Sequence, residues 1–240
     1  MSFSEFGEIV KQLELSPTNN TKVYLQTALK LADLSDEMQD YLFQFNYLWL
    51  NSLAHKLQWG DIDTNLLLVG MPEVVTPAHY DGMENLFTQV LGQKRCILFN
   101  PLQYRNLYPH PVHHPHDRQT QINFDAPDYN KFPRFRDAVG YEAIVRPGDL
   151  LYIPLNWWHY IESNSDSMTI SINFWFSADL DTSEDNDTIT PQTENNEASE
   201  EELLQLMREI ENSVGEKLKD KKQVKEFLLD IIDGRFDSLE

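Results

Sequence analysis

The sequence predicts a mainly β domain of the sandwich or barrel type, with helices before and after it. Eight short apolar runs follow one another between residues 62 and 176, and glycine, proline and asparagine residues separate them. Many short strands at this spacing are typical of sandwiches and barrels. The runs are Leu66–Val69, Val74–Tyr80, Leu86–Val90, Arg95–Phe99, Glu142–Val145, Leu150–Ile153, Tyr160–Glu162 and Thr169–Phe176.

The composition limits what the chain can be. Its 240 residues are enough for one large domain with an appendage, and 41% of them are hydrophobic, enough for a sizeable core. The formal net charge of −20 argues against a nucleic-acid partner bound through phosphates. A single cysteine excludes an intramolecular disulfide framework, and neither a signal peptide nor an apolar run of membrane-spanning length is visible. We therefore expect the chain in the cytosol, with the nucleus as an alternative location.

The first sixty residues are predicted to be helical apart from one extended stretch. Apolar residues recur at helical spacing within Phe3–Leu13 and again from about Ser35 to Leu57. Thr21–Gln26 lies between these segments and has the pattern of a strand. We expect the helices to form a layer that covers one side of a sheet.

Two turns and one long insert interrupt the β segment. Leu91–Gln93 and Arg146–Asp149 both have the composition of tight turns. Between Pro101 and Gly140 the chain is rich in proline, histidine, aspartate and aromatic residues. An insert this long in a compact β domain is usually functional or disordered. Its aromatic residues and prolines favour an ordered loop against the mouth of the barrel.

The chain changes character after the last predicted strand. Ser177–Glu202 holds ten acidic residues and no basic one, which predicts a disordered linker at 177–200 between a β domain at 1–176 and a helical segment at 201–240. A capping-box pattern at Ser199–Glu202 predicts the helix start. Two apolar stripes follow, and they must be buried on their own domain or on a second copy. The stripes are Leu203, Met207, Ile210, Val214 and Leu218, then Val224, Phe227, Leu228, Ile231 and Ile232.

His79 and Asp81 are the first candidate metal ligands. In an extended chain, side chains two residues apart project from one face, so an imidazole nitrogen and a carboxylate oxygen would converge. His159, which follows the predicted strand Leu150–Ile153, would supply a third ligand, although by itself it would equally suit a packed core position. Two histidines and one carboxylate form the facial triad of Fe(II) oxygenases, which leaves coordination positions open.

A cation and a polar strand face are the candidates for a co-substrate site. Lys94 opens a predicted strand, and a dicarboxylate would need such a cation, although lysines at strand ends are usually surface charges. On the last strand, Thr169, Ser171 and Asn173 share one face. That face would line either a polar cavity or a solvated outer surface.

Motifs along nearly the whole chain resemble the factor-inhibiting-HIF family, whose members are asparaginyl hydroxylases of the JmjC class. This resemblance implies a double-stranded β-helix, which is a cupin-like jelly roll. It also implies that the family's segment before the position of Met1 is missing, and part of the substrate groove with it. The matching motifs are Thr76–Asp81, Asn85, Lys94–Phe99, Tyr108–Pro109, Val112–Pro115, Asp117–Gln119, Val139–Glu142, Pro147–Asp149, Trp157–His159 and Asn173–Trp175.

The resemblance also implies roles for individual residues. The cofactor would be Fe(II), and 2-oxoglutarate and O₂ would be co-substrates. The matching residues are His79, Asp81 and His159 for Fe(II), Tyr24, Thr76 and Lys94 for the distal carboxylate of 2-oxoglutarate, and Asn85 and Asn173 near its metal-bound end.

For the substrate, the resemblance implies a partner protein that presents an asparagine in an extended segment. Hypoxia-inducible-factor-type transcription factors and ankyrin-repeat proteins are the expected partners. Arg118 and Gln119 match the residues that contact the target asparagine. The closing helices match a homodimer interface.

Three alternatives stay open at this point. The chain could be a JmjC oxygenase that acts on another residue, as a hydroxylase or a lysine demethylase. It could also be a truncated, non-catalytic binding module on the same fold. Finally, His113, His114 and His116 could bind zinc or nickel, although Pro111 and Pro115 favour a structural or substrate-contacting loop.

Overall fold

A computed structural model describes residues 3–15, 21–177, 200–218 and 220–232. The chain falls into two compact units. The first combines Met1–Asn100 with Val139–Pro191, and the second combines Pro101–Ala138 with Gln192–Glu240. Within the described residues, no helix is both long and apolar enough to cross a membrane.

The first unit contains all eight strands predicted from the sequence, together with one strand near its start. That additional strand, β1, begins three residues after the start of the predicted extended stretch. The elements are α1 (Phe3–Glu14), β1 (Tyr24–Ala28), α2 (Asp36–Phe43), α3 (Tyr47–Lys56), β2 (Ile62–Gly70), β3 (Val75–Tyr80), β4 (Glu84–Leu91), β5 (Lys94–Phe99), β6 (Tyr141–Val145), β7 (Leu150–Ile153), β8 (Trp158–Ser163) and β9 (Thr169–Phe176).

The strands form two antiparallel sheets. One has five strands in the order β1-β2-β9-β4-β7, and the other has four in the order β3-β8-β5-β6. Between β2 and β5, and again between β6 and β9, each strand lies in the other sheet from the strand before it, as in a jelly roll. The predicted mainly β fold, a double-stranded β-helix with helices at both ends, is therefore confirmed.

The helical layer packs on the outer face of the five-stranded sheet. Side chains alternate across a strand, so Ile172, Phe174 and Phe176 of β9 share that face and form a buried cluster with residues of α2 and α3. The ring of Phe174 meets the rings of Phe45 and Tyr47 edge-on, at centroid distances of 5.3 and 6.1 Å. The predicted packing layer is confirmed.

The opposite face of β9 points to the interior. Thr169 and Ser171 are fully buried and Asn173 is 6% exposed. These residues therefore line the inside of the jelly roll, and the alternative of a solvated outer surface is wrong. Polar side chains buried in this way must find hydrogen-bond partners, since unpaired burial is costly.

The helical stretch predicted from Ser35 to Leu57 is two helices. Ser35 caps α2, and its hydroxyl accepts a hydrogen bond from the amide of Met38. Asn46 then caps α3, its side-chain oxygen accepting from the amide of Trp49 at 3.0 Å. The apolar periodicity continues across the break, so the cap residue is the local signal that separates the helices.

Both predicted turns form at glycines with left-handed backbone. Gly92 has φ of 71° and Gly148 has φ of 92°. A Cβ atom at position 92 would also lie 2.9 Å from Cγ2 of Thr169, so glycine is required there for space as well as for conformation.

The second unit is built from the insert and the closing helices. It contains α4 (Tyr104–Leu107), α5 (Glu200–Lys217) and α6 (Gln223–Ile232). The insert is ordered, as predicted, because Leu107, Ile122 and Phe132 are buried. Apart from its end residues, the predicted linker lies outside the described residues, as does Ser199 of the predicted capping box. The proposed domain boundaries thus stay a prediction.

Candidate functional site

The pairing of β3 with β8 brings the three predicted metal ligands together. His79 and His159 are directly opposite each other in the register, and their ring centroids lie 4.1 Å apart. Asp81 follows the end of β3. Its carboxylate oxygens lie 3.9 Å from Nε2 of His79 and 3.5 Å from Nε2 of His159. Among the described residues, no other group of three or more potential ligands converges so closely.

Two backbone carbonyls fix the tautomer of both histidines. Nδ1 of His79 lies 2.9 Å from the carbonyl oxygen of Pro77, and Nδ1 of His159 lies 3.0 Å from that of Trp157. A carbonyl oxygen only accepts, so each Nδ1 carries the proton. Each Nε2 therefore lies on the side of Asp81 and is the ring nitrogen left for a metal. Metal-binding histidines are oriented in this way, with the second nitrogen donating to a carbonyl or carboxylate.

The environment keeps His79 neutral. Burial, followed by the neighbouring His159, lowers the pKa of His79 to about 4. A neutral imidazole is the form that ligates a metal. Two histidines and one carboxylate, with both Nε2 atoms on the side of the carboxylate, thus fit a divalent cation such as Fe(II).

Local backbone features aim these side chains. The register of β3 against β8 shifts between Thr76 and His79, which is a bulge of the kind that redirects side chains beside active sites. In the turn before β8, Asn156 has a left-handed backbone with φ of 61°. Its backbone amide donates to the carbonyl oxygen of Asp81 at 2.9 Å. This bond ties the turn before β8 to the backbone of the carboxylate ligand.

Lys94, Tyr24 and Thr76 form a second cluster inside the jelly roll. Lys94 is 1% exposed, and its Nζ donates to the hydroxyl of Tyr24 at 3.1 Å. The Tyr24 side chain also hydrogen-bonds with Thr76. Three residues on three strands are thus brought together, although 70 positions separate Tyr24 from Lys94 in the sequence.

The charge of Lys94 is poorly compensated. Burial lowers the pKa of Lys94 to about 8, and burial raises the pKa of Tyr24 to about 12. Among the described residues, no carboxylate lies within ion-pair distance of Lys94. A buried cation is costly unless an anion pairs with it. The cluster is therefore suited to a ligand that brings its own carboxylate.

Asn85 and Asn173 lie on the interior face of the five-stranded sheet. Asn85 is opposite Trp175, and Asn173 is opposite Phe87, so both amides project to the same side. They are 1% and 6% exposed. The Oδ1 atoms of both residues lack a hydrogen-bond partner among the described residues. Unsatisfied buried acceptors of this kind are expected where a ligand or water completes the bonding.

Sequence reasoning missed the role of Gln89. This residue is 1% exposed, and its Oε1 accepts from the hydroxyl of Ser171 at 2.8 Å while its Nε2 donates to the carbonyl of Leu91. A second pair, Ser163 and Thr169, lies 3.0 Å apart nearby in the interior. The available signal was the even spacing of Asn85 and Gln89, which puts two amides on the same face of β4.

The predicted substrate residues and the histidine group lie in the second unit. Arg118 and Gln119 are on the insert, and their contact with a target asparagine stays a prediction. His113 turns to α5, with Nε2 3.4 Å from the carbonyl oxygen of Glu211. The ring of His114 instead stacks on His110 at 4.0 Å, so His113, His114 and His116 do not form the alternative zinc or nickel site.

Comparison with known proteins identifies the family. The model of the cupin-like domain matches residues 1–182. The chain belongs to the cupin-like domain family. Lysine-specific demethylase 8 of Xenopus tropicalis is 36% identical over 108 residues, which are 45% of this chain and 24% of that protein. JmjC domain-containing protein D of Dictyostelium discoideum is 37% identical over 102 residues, 42% of this chain and 23% of that protein.

A third relative aligns with a longer part of the chain. Human HSPB1-associated protein 1 is 35% identical over 140 residues, which are 54% of this cupin-like chain and 28% of that protein. The chain thus spans about a quarter of the length of these relatives. The predicted cupin-like fold is confirmed. The three predicted metal ligands converge, and their metal stays a prediction. The narrower match to the factor-inhibiting-HIF family stays a prediction.

Replacing Asp81 with alanine should weaken binding of a divalent metal by more than about a hundredfold. Replacing a residue that only supports a metal ligand typically lowers metal affinity about ten- to a hundredfold. This change removes a ligand itself, and it is the only anionic one of the three. Anaerobic titration with Fe(II) measures the effect. Asp166→Ala, which removes an exposed carboxylate of the same unit, is the control and should bind normally. Unchanged iron affinity in Asp81→Ala would show that the triad does not hold the metal.

Proposed function

We propose that this chain is an Fe(II)- and 2-oxoglutarate-dependent dioxygenase that hydroxylates asparagine in partner proteins. The observation that carries the proposal is the convergence of His79, Asp81 and His159, with both Nε2 atoms within 3.9 Å of the carboxylate. Bound Fe(II), with 2-oxoglutarate and O₂, would supply the oxidising chemistry, and the protein would supply binding and orientation. The cytosol, with the nucleus as an alternative, remains the predicted location.

Lys94, Tyr24 and Thr76 would bind the distal carboxylate of 2-oxoglutarate. The buried ammonium offers a point charge, and the Tyr24 hydroxyl, whose raised pKa keeps it protonated, offers a donor. Pairing with a carboxylate would offset the cost of burying Lys94. Asn85 and Asn173, whose side chains have unused hydrogen-bonding capacity, would contact the other end of the co-substrate.

The choice of asparagine rests on the resemblance at Arg118 and Gln119. A guanidinium and a side-chain amide can together donate to and accept from the primary amide of an asparagine. Partners would be proteins that present this residue in an extended segment, such as hypoxia-inducible-factor-type transcription factors or ankyrin-repeat proteins. The name of lysine-specific demethylase 8 favours a second candidate, a JmjC oxygenase whose target is lysine. A non-catalytic module would have no use for the uncompensated charge of Lys94.

Replacing Lys94 with alanine should weaken 2-oxoglutarate binding about ten- to a hundredfold, because a hydrogen bond to a charged group is worth about 1.5–3 kcal/mol. Since the pKa of Lys94 is about 8, the cation is lost as pH rises through that value. Affinity in the unmodified protein should therefore fall above about pH 8, whereas affinity in Lys94→Ala should not change there. Calorimetric titration across pH measures both, and Lys56→Ala, on the exposed side of α3, is the matched control.

Incubation with Fe(II), 2-oxoglutarate and O₂ tests the activity itself. The probes are a consensus ankyrin-repeat protein with one asparagine and forms of it with alanine or lysine at that position. Mass spectrometry should find one added oxygen on the asparagine, with succinate produced in parallel. Modification only of the lysine form would favour the second candidate. Absence of iron-dependent succinate production with every probe, and without any probe, would exclude an oxygenase.

We also infer that the closing helices form a homodimer. Leu203, Leu206, Met207 and Ile210 of α5 are between 39 and 51% exposed, and they recur at helical spacing. A symmetric interface would use this apolar stripe on both chains. Leu206→Arg should yield a monomer in light scattering at micromolar concentration, whereas Gln205→Arg, on the neighbouring polar face, should remain a dimer. A monomeric mass for the unmodified chain would refute the dimer.

A further inference from the structure

The loop that carries Arg118 and Gln119 is held in a tight conformation. Isolated bridges join Pro109 to Thr120 and His110 to Asp117, and the amide of His110 donates to the carbonyl of Gln119 at 2.9 Å. Arg118 itself has a left-handed backbone with φ of 65°. Such a conformation is unfavourable for a residue with a side chain and persists where surrounding contacts impose it. We refer to residues 110–121 as the recognition loop.

The main contact on this loop is an ion pair from helix α5. Nη1 and Nη2 of Arg208 donate to the two carboxylate oxygens of Asp117, at 2.9 and 2.7 Å. The side chains are only 15% and 25% exposed. A two-bond pair between planar groups fixes orientation as well as distance, so Arg208 restrains the residue directly before Arg118.

Two further contacts come from the same face of α5. A side-chain oxygen of Glu211 accepts from the amide of Val112 at 3.0 Å. The ring of His113 packs against Gly215 so closely that a Cβ atom at position 215 would overlap it. Glu211 follows Arg208 by three positions, and Gly215 follows Glu211 by four, so the three residues lie on one helix face. This face therefore contacts the recognition loop at three successive points.

Two arginines lie near the carboxylate of Asp117, and Arg208 is the closer of them. Nε of Arg118 lies 4.0 Å from Oδ2 of Asp117, beyond hydrogen-bond distance. Arg208 donates to both carboxylate oxygens, whereas the guanidinium of Arg118, which is 46% exposed, is only a more distant ion-pair partner and can donate to another acceptor. Without Arg208, the attraction of Asp117 for Arg118 would lose its closer competitor.

We propose that Arg208 is a positioning residue for substrate recognition, and that α5 acts through it to hold the recognition loop ready for a primary carboxamide. The proposal rests on the proposed function for the role of Arg118 and Gln119. Arg208 itself touches neither substrate nor metal in this scheme. Its effect on substrate passes entirely through Asp117 and the backbone of the loop.

Hydrogen exchange of the full chain tests, independently of catalysis, whether α5 holds the recognition loop. In Arg208→Gln, amides of the recognition loop should exchange about tenfold faster, while amides of β3 and β8 exchange as before. Arg105→Gln is the matched control, since it removes an exposed arginine of the same unit that makes no ion pair among the described residues. Unchanged exchange of the loop in Arg208→Gln would overturn the proposal.

Gly215→Ala separates the contact between α5 and the recognition loop from the stability of α5 itself. Alanine favours a helix by about 1 kcal/mol over glycine, yet its methyl group would displace His113. Faster exchange in the loop of this variant therefore cannot come from a weaker helix. Slower or unchanged exchange of the loop amides would contradict the role assigned to this face of α5.

Kinetics with the single-asparagine ankyrin-repeat probe test the effect on recognition. Arg208→Gln should raise the KM for the probe about tenfold and leave kcat and the KM for 2-oxoglutarate unchanged. Arg208→Lys keeps the charge but not the two-bond geometry, so its KM for the probe should lie between those of the unmodified chain and Arg208→Gln. The double variant Asp117→Arg with Arg208→Asp exchanges the two partners of the ion pair, and its KM for the probe should return most of the way to that of the unmodified chain. An unchanged probe KM in Arg208→Gln would also overturn the proposal.

The two proposals can fail separately. Loss of iron-dependent 2-oxoglutarate turnover in the unmodified chain would refute the proposed function, and hydrogen exchange would still decide whether α5 holds the loop. Normal turnover, combined with unchanged hydrogen exchange of the loop amides in Arg208→Gln, would refute only the positioning role of Arg208.

Discussion

The register of β3 against β8 is the constraint on which the candidate site depends. Only when His79 is opposite His159 do both imidazoles and the carboxylate of Asp81 meet at one point. The backbone carbonyls of Pro77 and Trp157 complete the arrangement, because each accepts from an Nδ1 and so orients the ring with Nε2 at that point. The geometry is thus set by two paired strands and the residues that directly adjoin them, before any metal binds.

The interior of the jelly roll follows a different principle, since it buries polar groups that the protein satisfies only in part. Gln89 and Ser171 are hydrogen-bonded to each other, whereas Lys94 has a hydroxyl partner and, within the part of the chain that the structure describes, no anion. In that same part, the Oδ1 atoms of Asn85 and Asn173 have no hydrogen-bond partner. Such groups cost folding stability, and they favour the binding of a ligand with complementary charge and hydrogen-bonding groups. The interior is therefore better suited to a ligand that carries a negative charge than to a stable core.

Much of this could be predicted from the sequence, because it depends on local pattern. Alternation along β9 separated Asn173 from Phe174, and the two-residue spacing of His79 and Asp81 put both on one face. Contacts between distant segments were not predictable in this way. Arg208 and Asp117 are 91 residues apart, and nothing in either neighbourhood indicates the other. The break between α2 and α3 was missed because Asn46 interrupts a periodicity that continues beyond it.

The two buried faces of β9 make this strand intolerant of changes in length. A shift of one residue would turn Phe174 into the polar interior and Asn173 into the apolar layer under α2 and α3. Substitutions in β9 can therefore vary one compartment at a time, but an inserted or deleted codon would exchange the contents of both. Among relatives of this chain, variation in length should accumulate in the loops that flank Thr169–Phe176, and the strand itself should change by replacement alone.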